Sequence, residues 1–170
     1  MKHLFALIFT CALSICAFGQ PNNLRSIQTK IVPNVNPAYP VKTVNLVQEK
    51  VVILDFFVTT CSHCQEHAPH MAALTKKYGS KLLIVSFAAD GSRDPNGLKT
   101  YLSKFGVINP VTNMTNDQLM ELMGPNKDVP QMFIYHKGLL QKQIVGWNAE
   151  QQTMLENWLK ALIPEPPKRR

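Results

Sequence analysis

The run Val51-Val52-Ile53-Leu54-Asp55-Phe56-Phe57-Val58, followed by Thr59-Thr60-Cys61-Ser62-His63-Cys64 and then by a helical pattern, decides the fold. A run that is apolar except for Asp55, rich in β-branched and aromatic residues, describes a central strand buried on both faces. From Ser62 to Tyr78 the residues Ala68, Met71, Ala72, Leu74 and Tyr78 keep helical spacing, which stops at Gly79. Cys61 therefore falls at a helix N-terminus, where unpaired backbone N–H groups and the helix dipole favour an anion. Its thiolate is expected to form well below the free-thiol value of about 8.5. Cys64, one turn on and facing inward, is within reach of a disulfide to Cys61, and His63 between them adds positive charge and a donor.

Working outward, 82–88 reads as a second buried strand and 94–105 as a helix ending at Gly106, with Leu98, Tyr101, Leu102 and Phe105 on one face. A short strand at 110–113 and a short helix at 116–123 follow, the latter stopped by Gly124-Pro125. Strands at 131–136 and 141–145 flank a Lys137-Gly138 turn, and a closing helix runs over 149–163. The order β-α-β-α, finishing β-β-α, predicts an α/β fold with a mixed sheet and helices on both faces.

The 170 residues carry a formal net charge of +7 (18 Lys+Arg against 11 Asp+Glu) and are 45% hydrophobic, which suits one ordinary domain. Collagen-like, coiled-coil and disordered classes are excluded, since neither glycine nor charge is extreme. In residues 1–19, Lys2 precedes an apolar run from Leu4 to Phe18, and Ala17 and Gly19 are the small residues before a cut at Gln20. That pattern predicts a signal peptide, shorter than the ~20 residues of a bilayer helix, and an exported, periplasmic or extracellular protein. Bulky Ile15 before Cys16 speaks against a lipid anchor there. Residues 20–40, with Pro21, Pro33, Pro37 and Pro40, read as an extended lead-in, 41–163 as the domain, and 164–170, ending Lys168-Arg169-Arg170, as a solvated basic tail. No Lys/Arg stripe interleaved with aromatics points to nucleic acid. Once residues 1–19 are removed, Cys61 and Cys64 are the remaining cysteines, and two cysteines this close cannot staple a fold. The pair is therefore redox-active or metal-binding.

These residues resemble the thioredoxin superfamily and, within it, the exported TlpA/ResA-like thiol-disulfide oxidoreductases. The resemblance covers about residues 40–163. It rests on Asp55 six residues before Cys61, the CxxC itself, Pro69 five residues after Cys64, and Val129-Pro130 just before a strand, with Gly146 after the last strand. It implies a thioredoxin fold with an inserted helix-strand unit at 90–113. It further implies that Cys61 is the attacking thiol and Cys64 the resolving one, that Asp55 relays the proton of Cys64, and that His63 tunes the pair. Pro130 would be cis, with the Val129 backbone and Thr60 bordering the substrate-binding surface. No organic cofactor is implied; the partners would be exported thiol or disulfide proteins, such as an apocytochrome or a membrane electron donor, met by a monomer. Thr60 stands where the family usually has Trp, and His67 where the TlpA/ResA-like branch commonly has Glu. Because His63 and the helix terminus both favour thiolate, the pair is expected to be more oxidising than cytosolic thioredoxin.

The rival reading is a metal site. His63, His67 and His70 recur at i, i+4 and i+7, and with Cys61 and Cys64 they make a donor set suited to Cu(I) or Zn²⁺. The plainer alternative puts each histidine on the exposed side of the helix. Haem attachment is excluded, because Gln65 stands where CxxCH needs histidine. Asn113-Met114-Thr115 is a glycosylation sequon.

Overall fold

The computed structural model describes residues 25–28, 30–31, 43–90, 94–113 and 121–164. In chain order these form β1 (Ser26–Gln28), β2 (Lys30–Ile31), β3 (Thr43–Asn45), β4 (Val51–Phe57), α1 (Ser62–Tyr78), β5 (Leu82–Ala88), α2 (Pro95–Lys104), β6 (Val111–Asn113), β7 (Gln131–His136), β8 (Leu139–Val145) and α3 (Ala149–Leu162). Residues 121–123 are also helical. One mixed sheet runs β2-β6-β5-β4-β7-β8, with β4 parallel to β5 and antiparallel to β7. β1 and β3 pair separately.

Side chains alternate along a strand, so each central strand feeds two layers. Val51 and Ile53 of β4, Leu82 and Ile84 of β5, and Met132 and Ile134 of β7 pack against Met71 and Leu74 of α1 and Leu155 and Leu159 of α3. Val52, Leu54 and Phe56 point the other way and meet Val85, Phe87, Phe133 and Tyr135, covered by Val44, Leu46 and Met123. Phe57 and Ala88 extend the first layer to Cys64 and Ala68 of α1 and to Leu98, Tyr101 and Leu102 of α2. The expected mixed sheet, covered on both faces, is present, and α2 with β6 forms the expected helix-strand insertion. By the same alternation Asp55, between Ile53 and Phe57, faces α1.

Some boundaries differ from expectation. β4 ends at Phe57 rather than Val58, because Val58 leaves the ladder and its carbonyl accepts from the Cys61 N–H at 3.3 Å. β8 begins at Leu139 rather than residue 141, because Lys137 (φ 53°) and Gly138 (φ 81°) alone make the turn. Positive φ at both central residues matches the twist of a hairpin. The glycine also serves a close approach: its N–H donates to Leu46 O at 2.8 Å, and a Cβ there would lie 3.0 Å from Val47 Cγ2. β1, β2 and β3 were not anticipated as paired strands. Each spans three residues or fewer, too few for alternation to register, yet β2 joins the sheet edge through β6. The expected signal peptide, Cys16, most of the lead-in, Met114 and Thr115 of the sequon, residues 116–120 and the tail from residue 165 lie outside the described residues.

Candidate active site

Cys61 caps α1. Its Sγ accepts from the Cys64 N–H at 3.2 Å, while its carbonyl accepts from the Gln65 N–H at 3.1 Å. In the other direction the Cys61 thiol donates to Val129 O at 3.6 Å, across 68 positions of sequence. The Val129–Pro130 bond is cis. Both thiols are free; Cys61 is half-buried and Cys64 fully buried. Burial pushes the Cys64 thiol up, and its hydrogen bond with Cys61 pushes it further, against a smaller opposing pull from the Val58 backbone. The pair is thus asymmetric, with one sulfur reachable from solvent and the other a protonated thiol behind it.

The surrounding backbone is pinned. Gly146 donates to Pro130 O at 2.8 Å and ties the cis turn to the end of β8. Thr59 donates to Asp90 Oδ2 through both its N–H (2.7 Å) and its Oγ1 (2.6 Å), and Gln65 Nε2 donates to Thr59 O at 3.1 Å. Thr60, immediately before Cys61, is exposed. Asp90 was not anticipated from sequence. Its signal was the parallel register that sets Phe57 beside Ala88, which carries residue 90 alongside residue 59.

Beneath the cysteines lies a buried polar group. Asp55 and Ser86 are register partners, and Ser86 Oγ donates to Asp55 Oδ2 at 2.6 Å while accepting from Asn109 Nδ2 at 2.7 Å. On the other side of the carboxylate, His67 Nε2 stands 3.6 Å from Asp55 Oδ1. Burial pushes the Asp55 carboxyl up, opposed by His67 and the Ser86 hydroxyl, and it pushes the His67 imidazole down, opposed by Asp55. Tyr101 closes this layer by donating from its hydroxyl to Cys64 O at 2.7 Å.

The histidines part company. His63 is 63% exposed and sits 3.6 Å from Glu66 Oε2, so a carboxylate accompanies the charge it was expected to bring. His67 is 1% exposed, which overturns its placement on an exposed face; residues 64, 67, 68 and 71 share the buried stripe of α1. His70 turns towards Glu156 of α3, with 3.7 Å between Nε2 and Oε1, and both His67 and His70 lie against the Trp147 ring. Among the described residues no group of three His, Cys, Asp or Glu is placed to hold a metal ion. The donor set of the metal reading does not converge, because its histidines point to three different carboxylates.

Residues 37–101 match the family described as Thioredoxin. Thiol-disulfide oxidoreductase ResA from Bacillus thuringiensis (strain Al Hakam) is 28% identical over 116 residues, covering 68% of this chain and 65% of that protein. The chain thus matches a little under two thirds of that relative's length. Among solved structures, a thiol:disulfide interchange protein of the thioredoxin family from Chlorobium tepidum TLS superposes with a TM-score of 0.66 at 21% identity, covering 86% of this chain and 99% of that one. StoA from Bacillus subtilis gives 0.60 at 14% identity, covering 80% and 98%. With a CxxC capping the helix that follows the central strand, and with Val129–Pro130 cis beside it, the chain has a thioredoxin fold, and its residues 37–101 carry the match to the Thioredoxin family.

Proposed function

We propose that this chain is a thiol-disulfide oxidoreductase working through Cys61 and Cys64. The observation that carries the reading is the position of Cys61 Sγ: at the N-terminus of α1, accepting from the Cys64 N–H at 3.2 Å and 3.6 Å from Val129 O. In the reducing direction the Cys61 thiolate attacks one sulfur of a partner's disulfide, and the other sulfur leaves as a thiol. Cys64 gives up its proton to Asp55 and attacks Cys61 Sγ, the second partner sulfur departs, and the Cys61–Cys64 disulfide remains. Two electrons pass to the partner; the reverse sequence takes two from it. His63 borders the pair, and Thr60, Val129 and Pro130 border the surface an extended partner segment meets, where backbone pairing gives affinity without demanding one sequence.

The partners on this reading are exported thiol or disulfide proteins, such as an apocytochrome, another exported thiol protein or a membrane electron donor. On this reading export rests on the signal-peptide pattern of residues 1–19. The chemistry calls for no organic cofactor. Reduction of a small aromatic disulfide tests the reading: Cys61→Ala abolishes exchange, whereas Cys64→Ala stops at a mixed disulfide on Cys61. Activity retained by Cys61→Ala assigns the nucleophile wrongly.

A further inference from the structure

The polar group under the cysteines has more hydrogen-bonding capacity than its own members satisfy. Asp55 Oδ1, His67 Nε2 and Asn109 Oδ1 are buried and have no hydrogen-bond partner among the described residues. All three residues line one small cavity, with Ser86 and Tyr101 also in its wall and about 10 Å³ of space for water-sized centres. That is on the order of one water molecule, and a buried water typically makes about three hydrogen bonds. Buried polar atoms without partners are rare, so three of them around a space of this size define a site.

We propose that one internal water bridges Asp55 Oδ1, His67 Nε2 and Asn109 Oδ1, and that through it His67 shares with Asp55 the proton released by Cys64, acting as a positioning residue for that carboxylate. This rests on the proposed role of Asp55 in disulfide exchange and extends it. The hydrogen-bond count supports sharing. With the proton on Asp55, Oδ1–H donates to the water, which donates to His67 Nε2 and to Asn109 Oδ1. With the proton on His67, Nε2–H donates to the water, which donates to Asp55 Oδ1 and to Asn109 Oδ1. Either arrangement satisfies all three atoms, and passage between them moves one proton onto the water as another leaves it. With no hydrogen on either Asp55 Oδ1 or His67 Nε2, the water has three acceptors and two hydrogens and one atom stays unpaired, whereas a hydrogen on either seat, on Nε2 even of a neutral imidazole, satisfies all three. The cluster is therefore built to hold one proton at two seats. Ser86 holds the other carboxylate oxygen and Asn109 holds Ser86, which fixes Asp55 in place.

The groups facing this pair come from every element around it. Cys64 and His70 lie on α1, Tyr101 on α2, Ser86 on β5, Asn109 before β6, and the Trp147 ring sits 4.8 Å from that of His67. Tyr101 is held as a neutral phenol by burial, and His70 is directed to Glu156. Cys64 is the remaining group that exchanges a proton with the cluster during turnover.

The test is the rate at which Cys64 resolves a preformed Cys61–glutathione mixed disulfide, followed across about pH 5 to 8 in the wild type, Asp55→Asn and His67→Gln. The wild-type profile shows two ionisations. His67→Gln retains one of them and slows the neutral-pH rate by about tenfold, while Asp55→Asn slows it by about a hundredfold. A His67→Gln profile identical to the wild type overturns the inference and leaves the role of Asp55 standing. An Asp55→Asn rate equal to the wild type overturns the role of Asp55 itself. If His67→Gln does not fold, nitrogen NMR of the wild type decides: the His67 Nε2 resonance moves between the dithiol and disulfide forms at fixed pH, and an unmoved resonance overturns the inference.

Discussion

His67 Nε2 stands 3.6 Å from Asp55 Oδ1, with both side chains out of solvent and no hydrogen bond between them. Strand alternation turns Asp55 toward α1, and the buried stripe of α1 turns His67 toward Asp55. The consequence for stability can be worked out for each group. Burial raises the Asp55 carboxyl, so the folded state holds its proton more tightly than the unfolded chain; stability falls as pH rises from the ordinary value of about 3.9 through the folded value. Burial lowers the His67 imidazole, so the unfolded chain takes up its proton first; stability falls as pH drops from about 6.5 toward the folded value. Asp55→Asn is expected to stabilise the protein at neutral pH by about 1 kcal/mol, read as a Tm increase of about 4 °C. His67→Gln is expected to flatten the loss of Tm on acidification below about pH 6.5. Thermal melts across that range check both.

Tyr101 donates to Cys64 O at 2.7 Å from a buried position. Tyr101→Phe removes the hydroxyl and keeps the ring that stacks on Phe57 at 5.0 Å. The expected cost is about 1 kcal/mol of unfolding free energy, measured by denaturant titration, with the exchange rate changed by less than about twofold. A rate loss of tenfold or more gives the hydroxyl a role in the chemistry rather than in holding α1.

Asp90 fixes the entry to α1 by accepting twice from Thr59. Asp90→Ala leaves the Thr59 N–H and hydroxyl without that acceptor, at a cost of about 2 kcal/mol for bonds to a charged group. Thr59, two residues before Cys61, loosens, and exchange is expected to slow about tenfold, since small misplacements of reacting atoms carry large rate penalties. Asp90→Asn, which keeps one acceptor oxygen, is expected to recover most of the rate. Stopped-flow kinetics on the three proteins reads the order directly.

His63 is paired with Glu66 on the surface of the first turn. Exposed pairs of this kind are weak, so each side chain alone moves the Cys61/Cys64 potential little. His63→Ala is expected to lower it by about 10 mV and Glu66→Gln to raise it by about the same amount, since about 30 mV corresponds to 1.4 kcal/mol in a two-electron couple. A shift of about 60 mV or more in either variant makes His63 a dominant tuning residue.

The architecture was legible because long buried strands and amphipathic helices announce themselves. β4 and β5 are continuous apolar runs, and the helix after Cys61 keeps its period through a proline at residue 69. β1, β2 and β3 were not legible, since their pairing depends on partners distant in sequence. The cysteines stood out by spacing, and Asp55 and Val129-Pro130 through the resemblance to the thioredoxin superfamily. Ser86 and Asn109 did not, for a serine in a strand and an asparagine in a loop are unremarkable until register brings them to a buried carboxylate. The i, i+4, i+7 spacing of His63, His67 and His70 masks the burial of His67, which shares the buried stripe of Cys64, Ala68 and Met71.

The central claim is reversible disulfide chemistry at Cys61 and Cys64, and the most direct measurement is equilibration of the protein with a glutathione or dithiothreitol redox buffer, with thiols trapped and counted by mass. The account predicts a single two-electron transition between dithiol and Cys61–Cys64 disulfide, lost in either cysteine variant, with a potential above the approximately −270 mV of thioredoxin. A pair that forms no intramolecular disulfide at any buffer ratio contradicts the account; a reversible pair at or below that potential retains the exchange chemistry but contradicts its oxidising poise.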